Sequence, residues 1–557
     1  MSRYGGLENG KSGNSENTGV SKVEARSEGE KSQVERTGVS GDRMETKAQT
    51  EAVEAQTETK REVANGKLEA AGTRLEEAKL ETVRREDDEV KKHFETFQDK
   101  RWEDEDVREG KKQILSESRE LSEKDYEAAR MIAEKDEMLN RFSDHTSRRH
   151  VPQVTEKTLE QIDQYKEAVE KSPDQWGEVL SARCSENTTM VACTFHDVGM
   201  AGKVSEAGDP VEQYEESKGH LKPGEKPMGE QIRSKHSIEG AMSVLSKREE
   251  FDKMNDQIRS KCKEGEEPDL INPDEAALLI ALHSKNAEIK VSDGMEGEGS
   301  KGLKVADLSN TEEIQMYAEE MKKIANERGL QFEDGFLYRE GENGERVVDE
   351  EAIRRVRTEA AALRQGDSFR PASEIQVTQS GLAMMIEVSP EAKSAQSIDE
   401  EMKAVRLAYY DETGAERTDM RIDESNSGNT DSAFRSKVYA AGEKNLADIK
   451  SGEIRDDGSL CTDVYLVDGN FCPFATGNQI SERMREAASL DNDMTGRMVY
   501  RIHSETPISE DSKDKMRREI ESEMKDRYAP KLSESSTFIV EEDDDDRRYG
   551  GFVLEFV

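Results

Sequence analysis

His196 and Asp197 stand side by side where the apolar run Met190-Val191-Ala192-Cys193-Thr194-Phe195 ends, and Val198-Gly199 follow as a turn. An imidazole and a carboxylate leaving the chain at one turn can both bind one metal ion. The dipeptide alone supports no more than a turn, so its meaning depends on what converges on it. The chain has eight histidines. Four of them, His150, His196, His236 and His283, are placed by the pattern at the start or end of apolar helical stretches in one region. Asp197 adjoins one of them, and Asp367 closes the last helix of that region. A carboxylate is disfavoured at the negative end of a helix dipole, so Asp367 there wants a reason. Helices packed as a bundle bring inward polar ends together, and bundles build metal sites in this way. Imidazole with carboxylate suits Mn, Fe, Zn, Ni or Co. The five cysteines lie apart with no C-x-x-C spacing, which excludes a soft thiolate site and reads as reduced thiols.

The elements that must carry these residues follow from periodicity. Val151, Val154, Leu159, Ile162 and Val169 recur at helical spacing just after His150. A second helical stretch, Trp176 to Phe195, leads into His196-Asp197. Residues 200–230 are rich in Gly, Pro, Glu and Lys and read as a long loop. Helical spacing returns at Ile232, His236, Gly240, Ala241, Val244 and Leu245. Asn272-Pro273-Asp274-Glu275 is a helix-start signal, and the all-apolar Ala276 to Leu282 that follows predicts a buried helix ending at His283. A Gly-rich stretch spans 290–305, and amphipathic helices are expected at Glu312–Glu327 and Glu350–Gln365. The last carries Ile353, Val356, Ala360 and Leu363 on one face. After Pro371 the pattern alternates and becomes β-branched, with one clear helix, Ile508 to Lys525.

Composition sets the frame. Of 557 residues 33% are hydrophobic and 37% charged, so globular parts must coexist with solvated or disordered ones. Residues 1–42 lack large apolar side chains and read as disordered; residues 43–139 read as a charged helical arm, solvated or a coiled coil that docks a protein partner. Residues 140–371 form the helical domain and 372–557 an α+β domain, giving a mainly α chain. The net charge of −41 repels phosphate backbones and anionic lipid, which disfavours nucleic acid and membrane surfaces as general partners. No stretch reaches the about 20 apolar residues of a membrane helix, and no signal segment is visible, so the expected location is cytoplasmic.

The motifs carry a resemblance. The order His150, His196-Asp197, Asp367 resembles the H…HD…D signature of the HD-domain metal-dependent phosphohydrolase superfamily. His150-Val151-Pro152-Gln153-Val154 is similar to its H-x-x-x-V element, Ala192 to Gly199 to its A-x-L-L-H-D-I-G element, and Leu363-Arg364-Gln365-Gly366-Asp367 to its L-R-x-A-D element. His236-Ser237-Ile238-Glu239-Gly240-Ala241 and Leu282-His283-Ser284-Lys285 resemble the additional histidine helices of binuclear members, without the G-Y-P motif. The resemblance covers residues 140–372. It implies an all-α domain with one divalent transition metal held by His150, His196, Asp197 and Asp367. A second ion would use His236 and His283 with Asp197 bridging. Asp307, in Leu303-Lys304-Val305-Ala306-Asp307, is the alternative to Asp367, and His145 the alternative to His150. The lysine common after H-D-I-G is Met200 here, leaving Lys203 and Lys285 as the phosphate contacts. The implied activity is hydrolysis of a phosphomonoester or phosphodiester of a phosphorylated small molecule such as a nucleotide, with Asp197 as the catalytic carboxylate. The alternative is a degenerate HD scaffold with a regulatory or protein-binding role.

Overall fold

The computed structural model describes residues 90–283, 307–410, 447–541 and 552–556, apart from short gaps within them. All of them belong to one compact unit, Ala71–Val557. The expectations for residues 1–89 and for the Gly-rich stretch 290–305 lie outside the described residues.

The chain is mainly α. Helices α1 (Glu105–Ala133), α2 (His150–Lys171), α3 (Glu186–Phe195), α4 (Pro210–Gly219), α5 (Met228–Ser246), α6 (Arg248–Lys261), α7 (Pro273–His283), α8 (Thr311–Glu327) and α9 (Glu350–Ser368) build the helical part. The antiparallel hairpin of β1 (Tyr338–Glu340) and β2 (Arg346–Val348) precedes α9. α2 packs along α9 and α5 along α7, with α3 between them. Their facing side chains, among them Leu159, Ile162, Ala241, Val244, Leu279, Val356 and Leu363, are buried. No helix of the described residues is long and apolar enough to cross a membrane.

Three expectations are corrected here. Trp176 to Phe195 is not one helix: a single turn, Pro173–Trp176, is separated from α3, which starts afresh because Ser185 accepts from the Thr188 amide as its N-cap. The stretch 200–230 contains α4, capped by Asp209 with Pro210 in its first turn. Residue 140 is not a domain boundary. The arm's helix α1 is neither solvated nor a coiled-coil arm, because Ile114, Ser118, Ser122, Tyr126, Ala129 and Ile132 form a stripe buried against α3 and the turn that follows Asp197. Small residues let helix backbones approach closely, so this face seals without a leucine repeat.

The C-terminal part is α+β. β3 (Ile375–Val377), β4 (Ala383–Val388) and β5 (Val405–Tyr410) form an antiparallel sheet, and α10 (Ile398–Lys403) precedes β5. A second sheet has the order β6-β7-β8-β10-β9. Its strands are β6 (Ala447–Ser451), β7 (Leu460–Leu466), β8 (Met498–Ser504), β9 (Phe538–Glu541) and β10 (Phe552–Phe556). β7 and β8 run parallel, joined through α11 (Pro473–Ala488), and α12 (Glu510–Tyr528) follows β8. The expected helix near Ile508–Lys525 is α12; α11 was not expected. Residues from both sides of position 371 share one hydrophobic cluster, in which Leu460, Val464 and Ile502 join Leu159, Trp176 and Leu363. Polar contacts tie the parts: Gln164 Nε2 donates to the Cys461 carbonyl (2.5 Å), the Trp176 indole donates to the Gly458 carbonyl (3.0 Å), and Lys171 Nζ donates to the Ile454 carbonyl (3.5 Å).

Candidate metal centre

The helical part brings six of the expected residues to one buried place. α3 ends at Phe195, and the following turn presents His196 and Asp197, both essentially without exposure. Asp197 has φ −107° and ψ 1°, the bridge region in which many site residues sit. The turn lies directly on α5, because a Cβ at Gly199 would collide with the backbone carbonyl of His236. That close approach sets Asp197 Oδ1 3.5 Å from His236 Nε2. On the other side, a Cβ at Gly366 would meet Thr158 and the Val154 carbonyl (3.0 Å) on α2, so α9 packs backbone-close there and brings Asp367 to His150.

The donor atoms meet at ligand spacing. His150 Nε2 lies 3.0 Å from His196 Nε2, 3.1 Å from Asp197 Oδ2 and 3.2 Å from Asp367 Oδ1. His196 Nε2 is 3.1 Å from Asp197 Oδ2 and 3.3 Å from Asp367 Oδ1. Around an ion with bonds of about 2.1 Å, neighbouring donors sit about 3.0–3.4 Å apart. Asp197, His236 and His283 form a second group with donor atoms within 4.8 Å of one another. The two carboxylate oxygens of Asp197 face different groups, Oδ2 toward His150 and His196 and Oδ1 toward His236.

The backbone fixes the ring orientations. His196 Nδ1 donates to the Cys193 carbonyl (2.7 Å), His236 Nδ1 to the Arg233 carbonyl (2.5 Å), and His283 Nδ1 to the Ile280 carbonyl (2.6 Å). A carbonyl can only accept, so Nδ1 carries the hydrogen and the neutral ring turns its Nε2 lone pair to the cluster. Metal-binding histidines are held in this manner by their outer partners. Asp197 Oδ1, His283 Nε2 and Asp367 Oδ1 are buried without any hydrogen-bond partner. Orphaned buried polar atoms are costly, and here all three belong to the converging set. These residues therefore form groups that could hold a metal ion.

Electrostatics agree. Burial opposes ionisation of Asp197, yet His196 and His145 outweigh it and hold the carboxylate well below its ordinary range. Asp367 is lowered in the same sense against burial, by the His150 and His196 rings beside it. Burial also opposes charge on His196, but Asp197 and Asp367 prevail and lift it to about 10. Burial pushes His283 down to about 3, helped by His236 and His196, and lowers His236 as well. The Cys193 thiol is pushed up to about 12 by burial, in keeping with a packing residue.

Two further buried groups brace the cluster. The Tyr126 hydroxyl, on α1, donates to the Thr194 carbonyl (3.0 Å) just before His196. Arg364, on α9, donates from Nε to the Leu282 carbonyl (2.7 Å) just before His283. Neither role is legible in sequence, although Arg364 falls within the L-R-x-A-D element.

The remaining expected residues fare differently. Asp307 does not join the cluster: its carboxylate accepts from the Ser309 amide and hydroxyl in the turn before α8. Asp367 is the carboxylate brought in, 3.2 Å from His150. His145 and His150 were read as alternatives, but both are present, with His145 Nδ1 2.8 Å from Asp197 Oδ2. Lys203 is exposed. It lines a cleft of about 520 Å³ with Tyr214, Lys235 and Arg328, beside α5. Lys285 lies outside the described residues. No family model, curated protein or solved structure matches this chain.

Proposed function

We propose that this chain is a metal-dependent phosphohydrolase of the HD type, acting on a phosphomonoester or phosphodiester of a small molecule such as a nucleotide. The observation that carries it is the orphaned donor set. Asp197 Oδ1, Asp367 Oδ1 and His283 Nε2 are buried without partners, beside rings locked to present Nε2. When bound, two divalent ions about 3.5–4 Å apart clamp phosphoryl oxygens and acidify a water for in-line displacement.

The chain's own residues prepare that chemistry. His150, His196, Asp197 and Asp367 would hold one ion, and Asp197, His236 and His283 the other. Asp197, held ionised, turns one oxygen to each group and so fixes their separation. Lys203 with Lys235 offers cations for substrate phosphate in the cleft beside α5, against a chain of net charge −41.

Metal analysis of the purified protein, followed by a screen of phosphate esters, tests this reading. Wild type should carry Mn, Fe, Zn, Ni or Co and turn over at least one ester class, and His196→Ala and Asp197→Ala should lose both. Protein that takes up no transition metal would overturn the reading. A second reading, a degenerate scaffold that binds a regulatory ligand or a protein, is favoured by one observation: the expected phosphate contact Lys203 is exposed rather than part of the cluster. Metal uptake without turnover of any ester would favour it.

A further inference from the structure

His145 has no place in the four-residue donor set of the first ion, yet its Nδ1 lies 2.8 Å from Asp197 Oδ2. A partner that only supports a ligand stands behind it, beyond reach of the other ligands. His145 does not. Its donor atom lies within 4.8 Å of those of His150, Asp197 and Asp367 together. Opposite ligands of an ion with bonds of about 2.1 Å are about 4.2 Å apart, so that span is close to one coordination sphere. Its ring also continues the ring of imidazoles. The His145–His150 centroid distance is 5.2 Å, against 5.0 Å for His150–His196, 5.3 Å for His196–His283 and 5.2 Å for His236–His283. Unlike the helical ligands, it sits on the link between α1 and α2, and its side chain is 15% exposed.

We propose that His145 is a further protein ligand of the first ion, binding through Nδ1 beside His150, Asp197 and Asp367, whose donor atoms group with its own. This rests on the metal reading above. A further protein donor leaves fewer positions for water or substrate, so this chain would handle phosphate with a more enclosed first ion than the four-residue set gives. His145 differs from its neighbours in the nitrogen it offers. His196, His236 and His283 commit their Nδ1–H groups to backbone carbonyls and turn Nε2 to the cluster, whereas His145 presents Nδ1 to Asp197.

Cobalt(II) loading of the full chain tests the assignment. Wild type should bind two cobalt ions and show hyperfine-shifted imidazole N–H signals. His145→Ala should lose one of those signals and bind one of its two cobalt ions about 100-fold more weakly, at or beyond the upper end of the effect of outer partners. His145→Gln keeps a hydrogen-bond donor for Asp197 but removes the imidazole, and it should lose as much. Rescue by His145→Gln, or an unchanged signal set in His145→Ala, would overturn the proposal and leave His145 a support for Asp197. A wild type that takes up no cobalt overturns the metal reading itself, a different result.

Discussion

The Nε2 atoms of His150 and His196 face each other at 3.0 Å, and the opposite nitrogen of His196 is already committed to the Cys193 carbonyl. Two lone pairs cannot share that distance comfortably, so a proton lies on one of the two nitrogens in the metal-free protein. A metal ion bound among these rings and carboxylates would take that proton's place.

Metal uptake should therefore release protons. Burial resists charge on His196, but Asp197 and Asp367 raise it to about 10 from an ordinary 6.5. The proton on His196 thus stabilises the metal-free fold fully below pH 6.5, and that contribution is lost as pH rises through about 10. A divalent ion displaces the proton, so affinity should rise about tenfold per pH unit across the neutral range. Calorimetry at pH 8 in two buffers of different ionisation heat should show about one proton released from this group per protein. His196→Ala should release about one proton fewer; an equal release would show that the proton sits elsewhere.

Gly366 should not tolerate a methyl group. The added Cβ would press on Thr158 and on the Val154 carbonyl, and a backbone carbonyl cannot swing aside as a flexible side chain can. Gly366→Ala should cost about 1–3 kcal/mol of stability, as overpacking does. It should also move Asp367 off His150 and weaken metal uptake by more than it lowers the melting temperature of the metal-free protein. Equal uptake in wild type and variant would mean that the α2–α9 spacing does not set the site.

Much of the cluster is legible in sequence because its members are chemically rare residues at the ends of apolar helices. His150, His196, Asp197, His236, His283 and Asp367 all converge as that pattern implies. What is not legible depends on distance. Nothing in the spacing tells that His145 joins His150 rather than replacing it. Nothing in a charged, leucine-poor segment announces that Ser118, Ser122 and Ala129 of α1 are a buried face, since small residues seal a close helix contact as well as leucines do. In the C-terminal part the strands show by alternation. α11 does not, because its opening Pro473-Phe474-Ala475-Thr476-Gly477 reads as a turn.

The α1 helix should prove essential to the site. It covers the turn after Asp197, and Tyr126 donates to the Thr194 carbonyl. Removing residues 1–139 should leave a chain that neither folds cooperatively nor takes up metal, as circular dichroism and metal analysis would show. Tyr126→Phe, which keeps the packing, should lower stability by only about 1 kcal/mol. A truncated chain with full metal uptake would show that α1 is dispensable after all.

In the C-terminal part, Glu401 should make stability depend on pH in a window far from the usual carboxylate range. It lies on α10, fully buried, and accepts from the Phe474 amide (3.3 Å) and the Ala475 amide (2.8 Å) in the first turn of α11. Burial raises it from 4.5 to about 7, while the two amides and Lys515 pull the other way. The folded chain thus keeps, between pH 4.5 and about 7, a proton that the unfolded chain has lost. Raising the pH through that window removes stability; the contribution is full below it and gone above it, a change on the order of 3 kcal/mol. Glu401→Gln has no such proton and keeps one oxygen for the Ala475 amide. Denaturant melts at pH 4.5 and pH 8 should therefore show wild type losing stability relative to the variant as pH rises, with the other carboxylates cancelling in the comparison. Parallel profiles would mean that Glu401 is ionised throughout, held so by the α11 amides and Lys515.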